Sequence, residues 1–271
     1  MAVKRRTPGW RADWATVLGL PTAFAFVVIG QALEGGSLGS IVQATAALIV
    51  FGGTAGAVLV SFPSAQIRRA LSALGTVAAS PPESTDAVLN DIVRLATQAR
   101  RQGLVSLENA LDDSDPFLRK FLSHAVDGAK PQVLRDMMEL EILHQEEHDE
   151  SPARVFEAAG GYLPTLGILG AVLGLIQTMQ HLSEPEHIGG GIAVAFVATV
   201  YGVGAANLVC LPIATKLRVR ARRAAVHREL MMEGILAIQE GLNPRLIDEK
   251  LRGFLVQPDR PARPALRRRA A

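Results

Sequence analysis

Four stretches of the chain contain no Asp, Glu, Lys, Arg or His: Trp14 to Leu33, Gly35 to Ile67, Ala158 to Gln180 and Ile188 to Thr215. A helix needs about 20 apolar residues to cross the hydrocarbon core of a bilayer, and each stretch supplies that length. One such stretch could be a buried helix of a soluble core, but four within 271 residues predict membrane spans. The segment between them, Arg68 to Glu157, is dense in charge and cannot cross. The pattern therefore predicts an all-α, four-span integral membrane protein with a helical cytoplasmic domain.

Inside the charged segment the spacing is helical. Val88, Ile92, Leu95 and Ala99 recur on one face, with Asp91, Arg94 and Gln98 on the other. Asp115-Pro116 reads as a cap and a first helical residue, and Gly128 as the end of that helix. Pro131 opens a further helix to about Asp149, and Pro152 is expected to interrupt it before the third span. Beyond the fourth span the helical pattern continues to about Glu240, where Asn243-Pro244 breaks it. The expected layout is a basic tail (1–13), spans one and two (14–67), a cytoplasmic helical region (68–157), spans three and four (158–215), C-terminal helices (216–256) and a disordered Arg/Pro tail (257–271).

Charge sets the orientation. Lys4, Arg5, Arg6 and Arg11 precede the first span, and Lys216, Arg218, Arg220, Arg222, Arg223 and Arg228 follow the fourth. The connections around Glu34–Gly39 and Ser183–Ile188 carry no Lys or Arg. By the positive-inside rule both termini and the long charged region face the cytoplasm, so the net charge of +2 averages opposed regions. The basic start resembles a signal peptide, but the apolar run exceeds an h-region and no small-residue cleavage site follows, so it reads as the first span. The single cysteine, Cys210, excludes an intrachain disulfide framework and a multi-cysteine metal site.

Small residues mark close helix packing: Gly52 with Gly56, Gly170 with Gly174, and Gly202 with Gly204. Ion-moving helices usually carry an ionisable group, and here none lies in any span. Three explanations stand: the chain does not conduct, it conducts through polar and backbone groups, or a partner chain supplies the titratable group. Pro164 and Pro212 sit near the cytoplasmic ends of the third and fourth spans, where each frees a carbonyl. His144 and His148 share a helix face, but no third ligand accompanies them and a solvated helix explains the pair. No Gly-rich phosphate loop or nucleophile motif is present, so no enzyme, cofactor, metal or nucleic-acid role is expected.

Several stretches resemble the flagellar stator A-subunit family (MotA/PomA type). Leu163-Pro-Thr-Leu-Gly-Ile-Leu-Gly-Ala-Val-Leu-Gly-Leu175 is similar to its Pro-x-x-Gly-x-x-Gly-x-x-x-Gly span, and Ala193-Val-Ala-Phe-Val-Ala-Thr-Val-Tyr-Gly202 to its Thr-x-Tyr-Gly segment. Ala237-Ile-Gln-Glu-Gly-Leu-Asn-Pro-Arg-Leu-Ile-Asp-Glu-Lys-Leu251 resembles the family's C-terminal signature, and Ala99-Arg-Arg-Gln-Gly-Leu-Val-Ser-Leu-Glu108 its Arg-containing loop. The resemblance implies an inner-membrane complex of five A subunits around two one-span B subunits, whose helix carries the ion-binding aspartate. It implies that Pro164 and Pro212 flank the ion path and couple protonation to movement. It also implies that Arg100 and Glu108 meet the rotor switch-ring protein FliG, and that Glu141 falls near another charged position of that interface. Sodium-type members carry three threonines at positions that here are Ala171, Ala198 and Thr199. Methyl groups cannot coordinate a cation, so proton conduction is expected. Two alternatives remain: an energiser of the ExbB/TolQ kind, which has three spans and an outside N terminus, and a non-conducting scaffold.

Overall fold

The computed structural model describes residues 11–36, 38–80, 85–110, 114–183 and 185–255. The tail from Gln257, expected to be disordered, lies outside them. The first charge-free stretch forms α1 (Trp14–Leu33). A 3-10 turn at Leu38–Ile41 leads into α2 (Ala44–Ser61), which contains a π turn at Leu48–Gly52. Then follow α3 (Ser64–Val77), α4 (Thr85–Gln102), a 3-10 segment at Leu104–Ala110, and α5 (Pro116–Val126). The long helices α6 (Pro131–Gln180) and α7 (Ile188–Gln239) precede α8 (Pro244–Leu255). Extended backbone among the described residues is a two-residue pairing of Arg11–Ala12 with Ala79–Ser80. Among the described residues, four helices (α1, α2, α6 and α7) are long and apolar enough to cross a membrane. The chain is thus an all-helical, multi-pass membrane protein.

The described residues form two compact units. One takes its segments from within Met1–Pro82 and His148–Ala221, the other from within Glu83–Glu147 and Arg222–Ala271.

In the first unit α1 contributes no buried residue, whereas Ala46 and Val50 of α2, Leu163 of α6 and Val194, Val197 and Ala198 of α7 form a core. A row of outward apolar side chains on α1, such as Phe26 and Val27, is what lipid rather than water tolerates. Polar bonds close one end of this unit. Lys216 of α7 binds both Asp13, ahead of α1, and Thr16. The guanidinium of Arg220 donates to the carbonyls of Thr76 at 2.6 Å and Val77 at 3.2 Å, the final residues of α3. A cation there satisfies carbonyls that the helix leaves without donors. The hydrogen bond from Lys216 holds the Asp13 carboxyl below its ordinary range, against partial desolvation.

The second unit has its own core. Leu89, Ile92, Leu95 and Ala96 of α4 pack with Phe121 and Leu122 of α5, Leu134 and Met138 of α6, Leu230 and Ile235 of α7, and Ile247 and Leu251 of α8. The Asp115 carboxylate accepts from the Phe117 N–H at 2.7 Å, so Asp115-Pro116 is the cap the sequence suggests. Gly128, at φ +84°, follows the end of α5 in the left-handed region that glycine adopts freely.

One expectation is corrected. Pro152 does not interrupt the chain, because α6 runs unbroken through Pro152 and Pro164 for 50 residues. Proline in a helix interior costs about 3 kcal/mol, and here packing offsets it: Ala153, next in the chain, is buried against Val77 and Leu217. α7 ends at Gln239, as the sequence implies, and Asn243-Pro244 starts α8, with the Asn243 side chain accepting from the Arg245 N–H at 3.1 Å.

Candidate functional site

The motif-bearing parts of α6 and α7 meet along a seam of small residues in the first unit. A Cβ on Gly167 would stand 2.9 Å from the Ala198 carbonyl oxygen, and one on Gly202 would stand 2.5 Å from the Leu163 carbonyl oxygen. A Cβ on Gly170 would come within 2.7 Å of the Ala198 Cβ, and one on Gly174 within 2.6 Å of the Gly191 carbonyl oxygen. As the contact advances along α6 from Leu163 to Gly174, its partner on α7 runs back from Gly202 to Gly191, which is an antiparallel crossing at backbone contact. Gly191, Ala195, Ala198 and Gly202 stand four, three and four residues apart, the spacing of one helix face. Of the glycines singled out from spacing, Gly170, Gly174 and Gly202 belong to this seam, whereas Gly52, Gly56 and Gly204 face open space. Gly167 and Gly191 complete it.

The candidate path residues fall at different depths around the seam. Ala198 is wholly buried within it, Ala171 and Pro164 are half-buried, and Thr199 and Pro212 are exposed. The Thr199 hydroxyl donates to the Ala195 carbonyl at 3.2 Å. Ahead of Pro212, α7 widens into a π turn at Ala206–Cys210, and the Leu211 N–H reaches back five residues to the Ala206 carbonyl. A π turn rearranges the ladder where proline would remove a donor. Tyr201 anchors this region to α2: its hydroxyl donates to the Ile41 carbonyl at 2.6 Å and accepts from the Gln43 N–H at 3.2 Å. Its ring stacks on Phe51 with centroids 5.5 Å apart.

Arg100, Glu108 and Glu141 all lie in the second unit. Arg100 is exposed in the last turn of α4, and Glu108 is exposed in the 3-10 segment that follows. Gly103, at φ +83°, makes the turn between them, and the Gln98 amide donates to the Ser106 carbonyl at 2.8 Å. Glu141 is half-buried and pairs with Lys120 at 3.2 Å. One group escaped the sequence reading: Glu233 of α7 receives Arg135 of α6 at 3.2 Å and Lys250 of α8 at 2.7 Å. Burial pushes the Glu233 carboxyl up, but the hydrogen bonds and charges of Lys250 and Arg135 outweigh it and hold the group below its ordinary value. Nothing in the spacing of Arg135, Glu233 and Lys250 along the chain announces their meeting.

Charge-free spans packed along a glycine seam, together with a separately cored charged helical unit, define a polytopic helical membrane protein. The profile described as the MotA/TolQ/ExbB proton channel family matches residues 109–230, and that of the Motility protein A N-terminal region matches residues 17–103. Motility protein A of Bacillus subtilis is 34% identical over 253 residues, covering 92% of this chain and 93% of the relative. Chemotaxis protein PomA of Vibrio alginolyticus is 36% identical over 243 residues, covering 90% and 95%. Among solved structures, that of C. jejuni MotAB superposes with a TM-score of 0.84 at 30% identity, covering 91% of this chain and 97% of that one. The flagellar MotAB stator complex from Bacillus subtilis gives 0.83 at 34% identity, covering 90% and 96%. The chain belongs to the Motility protein A branch of the MotA/TolQ/ExbB proton channel family.

Proposed function

We propose that this chain is the A-type stator subunit of a flagellar motor and conducts protons together with a one-span B-type subunit. The carrying observation is the match to Motility protein A over 92% of the chain. The match of residues 17–103 to the Motility protein A N-terminal profile favours a motor over an outer-membrane energiser of the ExbB/TolQ kind. The spans hold no ionisable side chain, so an aspartate on the partner helix supplies the titratable group. Pro164 and Pro212 flank the path, and Ala171 and Thr199 line it. Ala198, sealed in the α6–α7 seam, acts by keeping the two helices close. The methyl group at Ala171 leaves no oxygen cage for sodium beside Thr199, whereas a proton needs only water and a carboxylate.

In this reading five copies surround two B-type subunits in the inner membrane, with both termini and residues 68–157 in the cytoplasm. Arg100, Glu108 and Glu141 meet the rotor protein FliG. One charge crossing 100 mV releases roughly 2.3 kcal/mol, so several protons per step supply useful work. The test is proton uptake by cells under a membrane potential. Uptake requires co-expression of both chains and disappears when the partner's aspartate becomes asparagine. Robust conduction by this chain alone overturns the reading.

A further inference from the structure

Glycine weakens a helix interior, yet Gly234 stands inside α7 between the buried residues Met232 and Ile235. A Cβ at this position would lie 2.7 Å from Cγ2, 2.9 Å from Cδ1 and 3.3 Å from Cγ1 of Ile92 on α4. Ile92 is wholly buried, so its side chain occupies the space that a residue at 234 would otherwise fill. Its β-branch restricts χ1, so the side chain cannot swing clear of an added methyl. The preceding residue, Glu233, binds Arg135 of α6 and Lys250 of α8, which grips the same turn of α7 from two other helices. With α7 held in that way, relief of a clash at 234 falls on α4.

Arg100 lies eight residues beyond Ile92 on the same helix, about 12 Å along its axis. The segment carrying Glu108 is tied to α4 by the bond from Gln98 to the Ser106 carbonyl. A shift of α4 therefore moves both charges together. We propose that Gly234 is a positioning residue for torque generation: by admitting Ile92 into the place of a side chain, it fixes how α4 lies on α7 and so where Arg100 and Glu108 stand. The proposal rests on reading those two residues as the rotor contact.

The test uses the full chain co-expressed with its B-type partner in a motile host lacking its own stators. Five variants are compared with the unaltered chain: Gly234→Ala, Ile92→Ala, both together, Arg100→Ala, and Arg100→Ala with Gly234→Ala. Membrane level, proton uptake and torque on a tethered bead are measured for each. Gly234→Ala should retain membrane level and uptake while losing torque by about twofold or more, as expected of an overpacked contact. Adding Ile92→Ala should restore torque, because it removes the Cγ1, Cγ2 and Cδ1 atoms that the new methyl would meet. Gly234→Ala should cost less torque in the Arg100→Ala background than it does alone, because only Glu108 is then left to displace. Unchanged torque in Gly234→Ala, a loss additive with Arg100→Ala, or a fall in membrane level that Ile92→Ala does not repair would each overturn the proposal. Failure of the rotor-contact reading registers separately, as full torque in Arg100→Ala alone.

Discussion

Gly174 and Gly56 are both glycines in charge-free helices, and nothing in their immediate neighbours separates them. A Cβ on Gly174 would meet the Gly191 carbonyl oxygen at 2.6 Å and the Ala195 amide nitrogen at 2.8 Å, whereas one on Gly56 meets nothing within 4 Å. Backbone cannot swing aside as a side chain can, so Gly174→Ala should destabilise the subunit by about 1–3 kcal/mol. Gly56→Ala should be close to neutral. The fraction of protein surviving a heat step in detergent, read by size-exclusion chromatography, compares the two. Ala198 follows the same physics: it is wholly buried, and the Cβ of any residue larger than glycine at 170 would lie 2.7 Å from its own. Ala198→Thr should lower the heat-stable fraction without making swimming speed respond to external sodium. A sodium-dependent rise in speed would place this residue on the path rather than in the seam.

At the scale of elements, the sequence and the structure part at prolines and at charges. A proline removes one donor wherever it stands, but whether the helix survives depends on what packs beside it. α6 survives Pro152 because Ala153 is pinned against Val77 and Leu217. The face of α4 was readable from apolar spacing, since Ile92 and Leu95 are buried as that period implies. The Glu233 junction was not, because it joins three helices from distant parts of the chain. Its folded-state carboxyl sits below the ordinary value of 4.5. A depressed carboxyl contributes stability that is fully present above the unfolded value and fades as pH falls through the folded one. Glu233→Gln should therefore lower the melting temperature at pH 7, by the equivalent of about 1 kcal/mol or less for a partly solvated pair. The gap between variant and parent should close below pH 4.5. A gap that persists undiminished into acid would show that the side chain matters for packing alone.

For the whole molecule, the proposed orientation makes a labelling prediction. In a Cys210→Ser background, Gly39→Cys in the first connection should react with an impermeant maleimide added to intact cells. Arg101→Cys, exposed at the end of α4, should react only after the membrane is opened. Labelling of position 101 in intact cells would reverse the topology. The four charge-free stretches, the helical period of 88–99 and the cap at Asp115-Pro116 were legible because each is local: hydrophobic length, face and turn chemistry are properties of neighbouring residues. These features determined that the chain is helical and crosses the membrane, and its ordered motifs determined the family. Tertiary structure alone decided which glycines are obligatory, that Tyr201 pins the start of α2, that Glu233 joins α6, α7 and α8, and that Ile92 rests on Gly234. Each of those depends on the distance between segments far apart in the chain, and no local pattern encodes a distance that only packing sets.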